Sequence, residues 1–215
     1  MPNDTDAQKR AAAEAAALLV ADGDRVGLGT GSTVAHLLPA LAARRLTLRC
    51  AVTSPATDEL ARELGFAVAP LDEFGELDIA IDGADQVTPD GWLIKGGGAA
   101  HTREKIVAAA ARRFVVIVSA EKAVPALTPP VPLEILRFGA RHTLERCAPA
   151  ALRDVSLSPD GNLIADYLGE VGDPARLAAR LSTTPGLVEH GLFPPAMVHE
   201  VLVGTASGVE RRTLA

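Results

Sequence analysis

Short apolar strands alternate with helices through the first half of the chain, and each unusual loop falls where a strand ends and a helix begins. That alternation constrains the fold more than any single motif. Strand-like runs at 25–28, 46–52, 66–69, 77–81 and 114–118 are interleaved with helical spacing at 34–43, 56–64 and 101–112, after an alanine-rich helix at 7–20. Repeated βαβ units predict an α/β fold: a Rossmann-like, mostly parallel sheet with helices on both faces. Strands buried on both faces are continuously apolar, as Val115-Val116-Ile117-Val118 is. Sites in such sheets sit at the carboxyl ends of the strands.

The texture changes after Ala126. Thr128-Pro129-Pro130-Val131-Pro132 reads as a connector. Strands at 133–137, 152–157, 163–167 and 187–189, with helices at 142–148 and 174–181, predict a smaller α+β unit of ferredoxin-like order. The apolar run 197–203 is expected to return to the first sheet. The expected division is a Rossmann-like catalytic domain over 1–128 and 199–215, and a smaller domain over 129–198.

Composition excludes several classes. With 215 residues, 48% apolar and 22% charged, the chain is neither disordered nor a disulfide-stapled mini-fold. A net charge of −6 is unsuited to gripping a nucleic-acid backbone, so no nucleic-acid partner is expected. Cys50 and Cys147 form no CxxC or zinc pattern and suit a reducing compartment. The start Met1-Pro2-Asn3-Asp4 has no signal-peptide pattern, and the apolar run 11–21, broken by Glu14, is too short for a bilayer. A cytoplasmic protein with no membrane partner is expected. Lysine is scarce, at Lys9, Lys95, Lys105 and Lys122, so a compact ammonium is of interest wherever it occurs.

Three loops carry the chemistry-bearing residues. Gly27-Leu28-Gly29-Thr30-Gly31-Ser32-Thr33 opens a helix, and its amides and hydroxyls suit a single phosphate group. Its third glycine comes one residue early for a dinucleotide fingerprint, the second strand ends without an acidic residue, and no P-loop lysine is present. A tight turn without a ligand is the plain alternative. Asp82-Gly83-Ala84-Asp85 puts two carboxylates at a strand end, where they can share a proton, hold a cation or simply turn the chain. Lys95-Gly96-Gly97-Gly98-Ala99-Ala100-His101-Thr102-Arg103-Glu104-Lys105 pairs a cation with a carboxylate, which suits oxyanion stabiliser and general base. Glu104 could equally serve the helix dipole alone. The five histidines are scattered, so no metal site is signalled, and no G-x-S-x-G elbow supports acyl transfer.

Taken together, these loops resemble type A ribose-5-phosphate isomerases. Ser119-Ala120-Glu121-Lys122, Asp173-Pro174 and Pro185-Gly186-Leu187-Val188-Glu189-His190-Gly191-Leu192-Phe193 extend the likeness in the same order. The resemblance implies an aldose–ketose isomerase of the pentose phosphate pathway that interconverts ribose 5-phosphate and ribulose 5-phosphate without metal or organic cofactor. It implies Glu104 as proton acceptor, with Asp82, Asp85 and Lys95 completing the catalytic set. Thr30, Gly31, Ser32, Thr33, Gly83, Ala84, Gly96, Gly97, Gly98, Lys122 and Lys9 would join Asp82, Asp85 and Lys95 in binding substrate. A homo-oligomer, dimer or tetramer, is also implied.

Gln86 stands where the family usually has an acidic residue, and His101 replaces an apolar one. Pro55 and Arg137-Phe138 also depart from the family pattern. Two other functions share the loop logic. A sugar-phosphate-binding regulatory module would need a basic DNA-binding segment for which the chain has no room. An amino-sugar-phosphate deaminase wants a histidine beside its carboxylates, for which His101 is the candidate.

Overall fold

The computed structural model describes residues 5–214. The residues Met1-Pro2-Asn3-Asp4, on which the signal-peptide expectation rests, lie outside the described residues, as does Ala215. In chain order the described part begins α1 (Thr5–Ala17), β1 (Arg25–Leu28), α2 (Ser32–Ala43), β2 (Arg49–Val52), α3 (Pro55–Glu63), β3 (Ala67–Val68) and β4 (Ile79–Asp82). Then come β5 (Gln86–Val87), β6 (Leu93–Ile94), α4 (His101–Ala109), β7 (Phe114–Ser119), β8 (Val131–Ile135), α5 (Ala140–Arg146) and β9 (Ala150–Leu152). The last elements are β10 (Leu163–Tyr167), α6 (Pro174–Ser182), β11 (Leu187–His190), β12 (Leu192–Phe193), β13 (Glu200–Thr205) and β14 (Gly208–Thr213).

The chain divides into two compact units. The first takes the described residues of Met1–Ala84, Arg103–Ala123 and Ala196–Ala215; the second takes Asp85–Thr102 and Val124–Pro195. The sequence boundary at 128/129 keeps 85–128 with the parallel sheet. In the structure 85–102 and 124–128 group with the second unit. There β5 and β6 pair with each other and β6 with β12, while Val124 N–H donates to the Val87 carbonyl at 2.9 Å.

In the first unit the sheet runs β14-β13-β7-β4-β1-β2-β3, and every neighbouring pair is parallel except the terminal β13–β14 hairpin. Side chains alternate across the sheet. Val26, Leu28, Ile79, Ile81, Val115, Ile117 and Leu202 pack on one face with apolar residues of α1 and α2. Each such side chain contributes about 1.5–3 kcal/mol when fully buried. On the other face α4 comes so close that a Cβ on Gly27 would lie 2.5 Å from Val107 Cγ1. The predicted parallel sheet with helices on both faces is present. The run 197–203 does return to it, as β13 beside β7.

The second unit is βαββαβ over β8, α5, β9, β10, α6 and β11, with sheet order β11-β8-β10-β9, which is the ferredoxin-like arrangement. Val131, Leu133, Ile135, Ala165, Leu177 and Leu181 form its core. The proline-rich connector is shorter than the sequence predicts, because β8 already begins at Val131. Pro132 suits an extended φ and lacks an N–H, while its carbonyl accepts from Gly191 N–H at 2.7 Å. A separate three-stranded sheet, β12-β6-β5, belongs to the same unit. Among the described residues no helix is long and apolar enough to cross a membrane.

Candidate active site

In the first unit, sheet order reverses between β1 and β4: β1, β2 and β3 proceed one way, while β4, β7 and β13 lie on the other side. A crevice outside the carboxyl ends at such a reversal is where open α/β sheets bind ligands. Residues of the first two predicted loops stand there. Asp82 ends β4 and is 3% exposed; its Oδ1 accepts the Thr30 N–H at 3.1 Å and the Gly83 N–H at 2.7 Å. Gly29 continues β1 through its N–H to the Ile81 carbonyl at 3.0 Å. The Thr30 and Thr53 hydroxyls meet at 2.8 Å, and Thr57 Oγ1 donates to the Gly29 carbonyl at 2.8 Å. Gly31, at φ 109°, turns the chain into α2, whose first turn starts with Ser32 and Thr33 and holds no acidic side chain. Lys9 Nζ donates to Ser32 Oγ at 3.0 Å, which brings the lysine of α1 to this loop.

Glu104 lies on α4 and is 4% exposed. The helix descends from the carboxyl edge of the sheet, since the Ala110 carbonyl just past its end accepts from Leu77 N–H at 2.8 Å, ahead of β4. Val107 stands over Gly27. Glu104 is one turn nearer the helix N-terminus on the same face, about 4.5 Å along the axis. It is thereby carried toward the ends of β1 and β4. Lys122 closes a short helical turn, Ala120–Lys122, after β7. Sequence reasoning missed Gln8, which ties α1 to this turn: its buried Oε1 accepts the Ala120 N–H at 3.0 Å. Nothing in an alanine-rich helix marks such a residue.

The remaining predicted site residues belong to the second unit. Asp85 Oδ2 accepts the Gly97 N–H at 2.8 Å. Lys95 is 3% exposed; its N–H donates to the Gly191 carbonyl at 2.8 Å, and its ammonium stands 5.6 Å from the Phe193 ring centre. Close approach explains two of the three glycines. A Cβ on Gly96, at φ 109°, would lie 2.7 Å from His101 Nδ1, and one on Gly97 would lie 2.7 Å from Asp85 Oδ1. Gly98 and Ala99 complete the turn, and Ala99 takes the left-handed conformation at φ 61°. Arg153 and Asp166, also missed in the sequence, stand beside this loop. Arg153 Nη1 donates to the Gly96 carbonyl at 3.0 Å.

The two departures at Gln86 and His101 find packing explanations. Gln86 bonds Thr128 in both directions, donating to its carbonyl at 2.9 Å and accepting its N–H at 2.8 Å. His101 is fully buried against Gly96, with Nε2 3.4 Å from the Glu189 carbonyl oxygen. Glu134, also buried, receives Ser158 Oγ at 2.6 Å, Asn162 Nδ2 at 2.8 Å and the Thr102 hydroxyl at the start of α4. Burial pushes the Cys50 thiol up to about 12, which removes it as a nucleophile at neutral pH. Among the described residues no group of three or more His, Cys, Asp or Glu is placed to hold a metal ion.

Fold and site define a Rossmann-like α/β protein with buried carboxylates and a hydroxyl-rich turn at the reversal of its sheet. The family model for ribose 5-phosphate isomerase A (phosphoriboisomerase A) matches residues 49–208, and the chain belongs to that family. It is 48% identical to the ribose-5-phosphate isomerase A of Caulobacter sp. (strain K31), over 95% of this chain and 96% of that one. The Halorubrum lacusprofundi ribose-5-phosphate isomerase A is 46% identical over 95% of each. Among solved structures, ribose 5 phosphate isomerase A from Neisseria gonorrhoeae superposes with a TM-score of 0.95 at 30% identity, covering 99% of both chains. A D-ribose-5-phosphate isomerase in complex with phospho-erythronic acid gives 0.92 at 33% identity, covering 98% of this chain and 99% of that one.

Proposed function

We propose that this protein is a ribose-5-phosphate isomerase, interconverting D-ribose 5-phosphate and D-ribulose 5-phosphate through an enediolate. The observation that carries the chemistry is the pair of buried carboxylates in the first unit, Asp82 at the end of β4 and Glu104 on the first turn of α4. Moving a hydrogen between adjacent carbons requires a base for the carbon acid, a cation for the oxyanion and an acid/base for the hydroxyls.

Glu104 takes the proton from C2 of the open-chain aldose, and the electron pair moves through the new C1–C2 double bond onto O1. Lys95 stabilises the charge that develops there. Asp82 and Asp85 pass a proton between O2 and O1, and Glu104 returns its proton to C1, leaving the ketose. No redox partner enters this balance, and we propose that no cofactor does. Thr30, Gly31, Ser32, Thr33, Lys9 and Lys122 receive the phosphate and its neighbouring hydroxyls. Gly83, Ala84, Gly96, Gly97 and Gly98 line the sugar. The Rossmann-like part supplies Asp82 and the base Glu104, and the protein works as a cytoplasmic homo-oligomer.

Incubation with ribose 5-phosphate, followed by assay of ketopentose, tests the function. Ketopentose forms at a rate proportional to enzyme. Binding without turnover would instead identify a sugar-phosphate sensor. Release of ammonia from an amino-sugar phosphate would identify a deaminase.

A further inference from the structure

We propose that Arg153 is a positioning residue for the isomerisation, acting by fixing the orientation of one peptide group in the triple-glycine loop. The inference rests on the isomerase function proposed above. Arg153 offers a planar fork of donors. Its Nε donates to Asp166 Oδ2 at 2.9 Å and its Nη2 to Asp166 Oδ1, which sets the plane of the guanidinium. The side chains of both residues are 18% exposed, so the pair is largely shielded from solvent. Nη1 is left to donate to the Gly96 carbonyl at 3.0 Å and the Gly97 carbonyl at 3.3 Å.

The Gly96 carbonyl and the Gly97 N–H are the two ends of a single peptide group. Arg153 holds the oxygen end, and Asp85 Oδ2 accepts from the nitrogen end at 2.8 Å. A peptide between two glycines rotates with little steric resistance. Were it to flip, it would present a carbonyl oxygen to the Asp85 carboxylate and withdraw the donor. Arg153 therefore sets the direction of the amide that orients Asp85. Lys95 sits one residue before the clamped peptide. Misplacing groups of this kind by about an ångström can cost on the order of a hundredfold in rate.

The experiment compares the full-length protein with Arg153→Ala, Arg153→Lys and Asp166→Asn. Three quantities are read on each: kcat and KM for ribose 5-phosphate, the melting temperature, and hydrogen exchange of the Gly97 amide by NMR. Arg153→Ala is expected to lower kcat about 10–100-fold with KM changed less than about threefold. Added methylguanidinium should restore part of that loss. Gly97 exchange should quicken at least about tenfold, because the amide is freed from Asp85. Arg153→Lys should recover part of kcat, and Asp166→Asn provides a milder loosening should the alanine variant fold poorly. An unchanged kcat, or a loss of activity that tracks the unfolded fraction alone, would overturn the proposal. Gly97 exchange that matches wild type in Arg153→Ala and Asp166→Asn overturns the clamp whatever the activity. Wild-type protein that makes no ketopentose overturns the isomerase function, with the clamp still judged by exchange.

Discussion

The Asp82 carboxylate occupies the space that a side chain at position 29 would fill. A Cβ on Gly29 would stand 1.8 Å from Asp82 Cγ. The glycine that the sequence offers for an incoming anion is thus required by a carboxyl group of the protein itself. Asp82 is held there by the Thr30 and Gly83 amides, so the turn after β1 and the acid at the end of β4 are built as one piece.

Gly29→Ala must move either the turn or the carboxylate. We expect kcat/KM to fall by at least about a hundredfold, the cost on the order of an ångström of misplacement. The melting temperature should drop as well, because overpacking costs about 1–3 kcal/mol. Steady-state kinetics beside calorimetry check this. Unimpaired activity in Gly29→Ala would mean that Asp82 does not need its observed position.

The phosphate must be gathered against a net charge of −6. Lys122→Ala should raise KM about tenfold, equivalent to about 1.4 kcal/mol for a lost charge-assisted contact, with kcat little changed. Lys9, which reaches Ser32 Oγ at 3.0 Å, should behave alike in Lys9→Ala with a KM rise of about threefold or more. Substrate titrations of both variants decide the matter. If neither moves KM, the phosphate is anchored by other groups.

At the amino edge of the sheet, hydrogen bonds from the Arg25 side chain and N–H hold the Asp78 carboxyl well below the usual carboxylate range. Because its folded pKa is depressed, the stabilisation is present above the unfolded value near 3.9 and fades as pH falls through the folded one. Asp78→Asn should therefore melt below wild type at pH 7, by about 2–4 °C for each kcal/mol lost in a chain of this size. The gap should close as pH drops from about 5 toward 2. Melting curves across that range test the sign. A gap that widens in acid would refute it.

How far the sequence could be read depended on whether a residue's role was local. The expected strands 25–28 and 163–167 coincide with β1 and β10, since each is an apolar or alternating run bounded by turn residues. The edge strand β14 was missed because Gly-Val-Glu-Arg-Arg-Thr is mostly exposed and carries no buried face to pattern it. The two-residue strands β5 and β12 are too short for any period to register. Strand β8 was expected two residues late, because Pro132 looks like a breaker until its partners are known.

The loops of the site stood out by glycine and charge, but the causes of their glycines did not. That Gly96 makes room for His101, and Gly97 for Asp85, is a long-range fact. Arg153 and Asp166 were invisible for the same reason. Each is an ordinary charged residue until the fold sets Arg153, held by Asp166, beside a loop 57 positions earlier in the chain.

In the proposed isomerisation Glu104 is the base. A carboxylate at position 104 can accept the carbon-bound proton provided the enediolate is stabilised as it forms. Glu104→Gln keeps the size of the side chain and removes the base. The measurement is kcat for ribose 5-phosphate in Glu104→Gln, with binding of a phosphorylated inhibitor followed in parallel. We expect kcat to fall roughly 10²–10⁴-fold with inhibitor binding retained. Isomerase activity within a few-fold of wild type would contradict it and make Asp82 the next base to test.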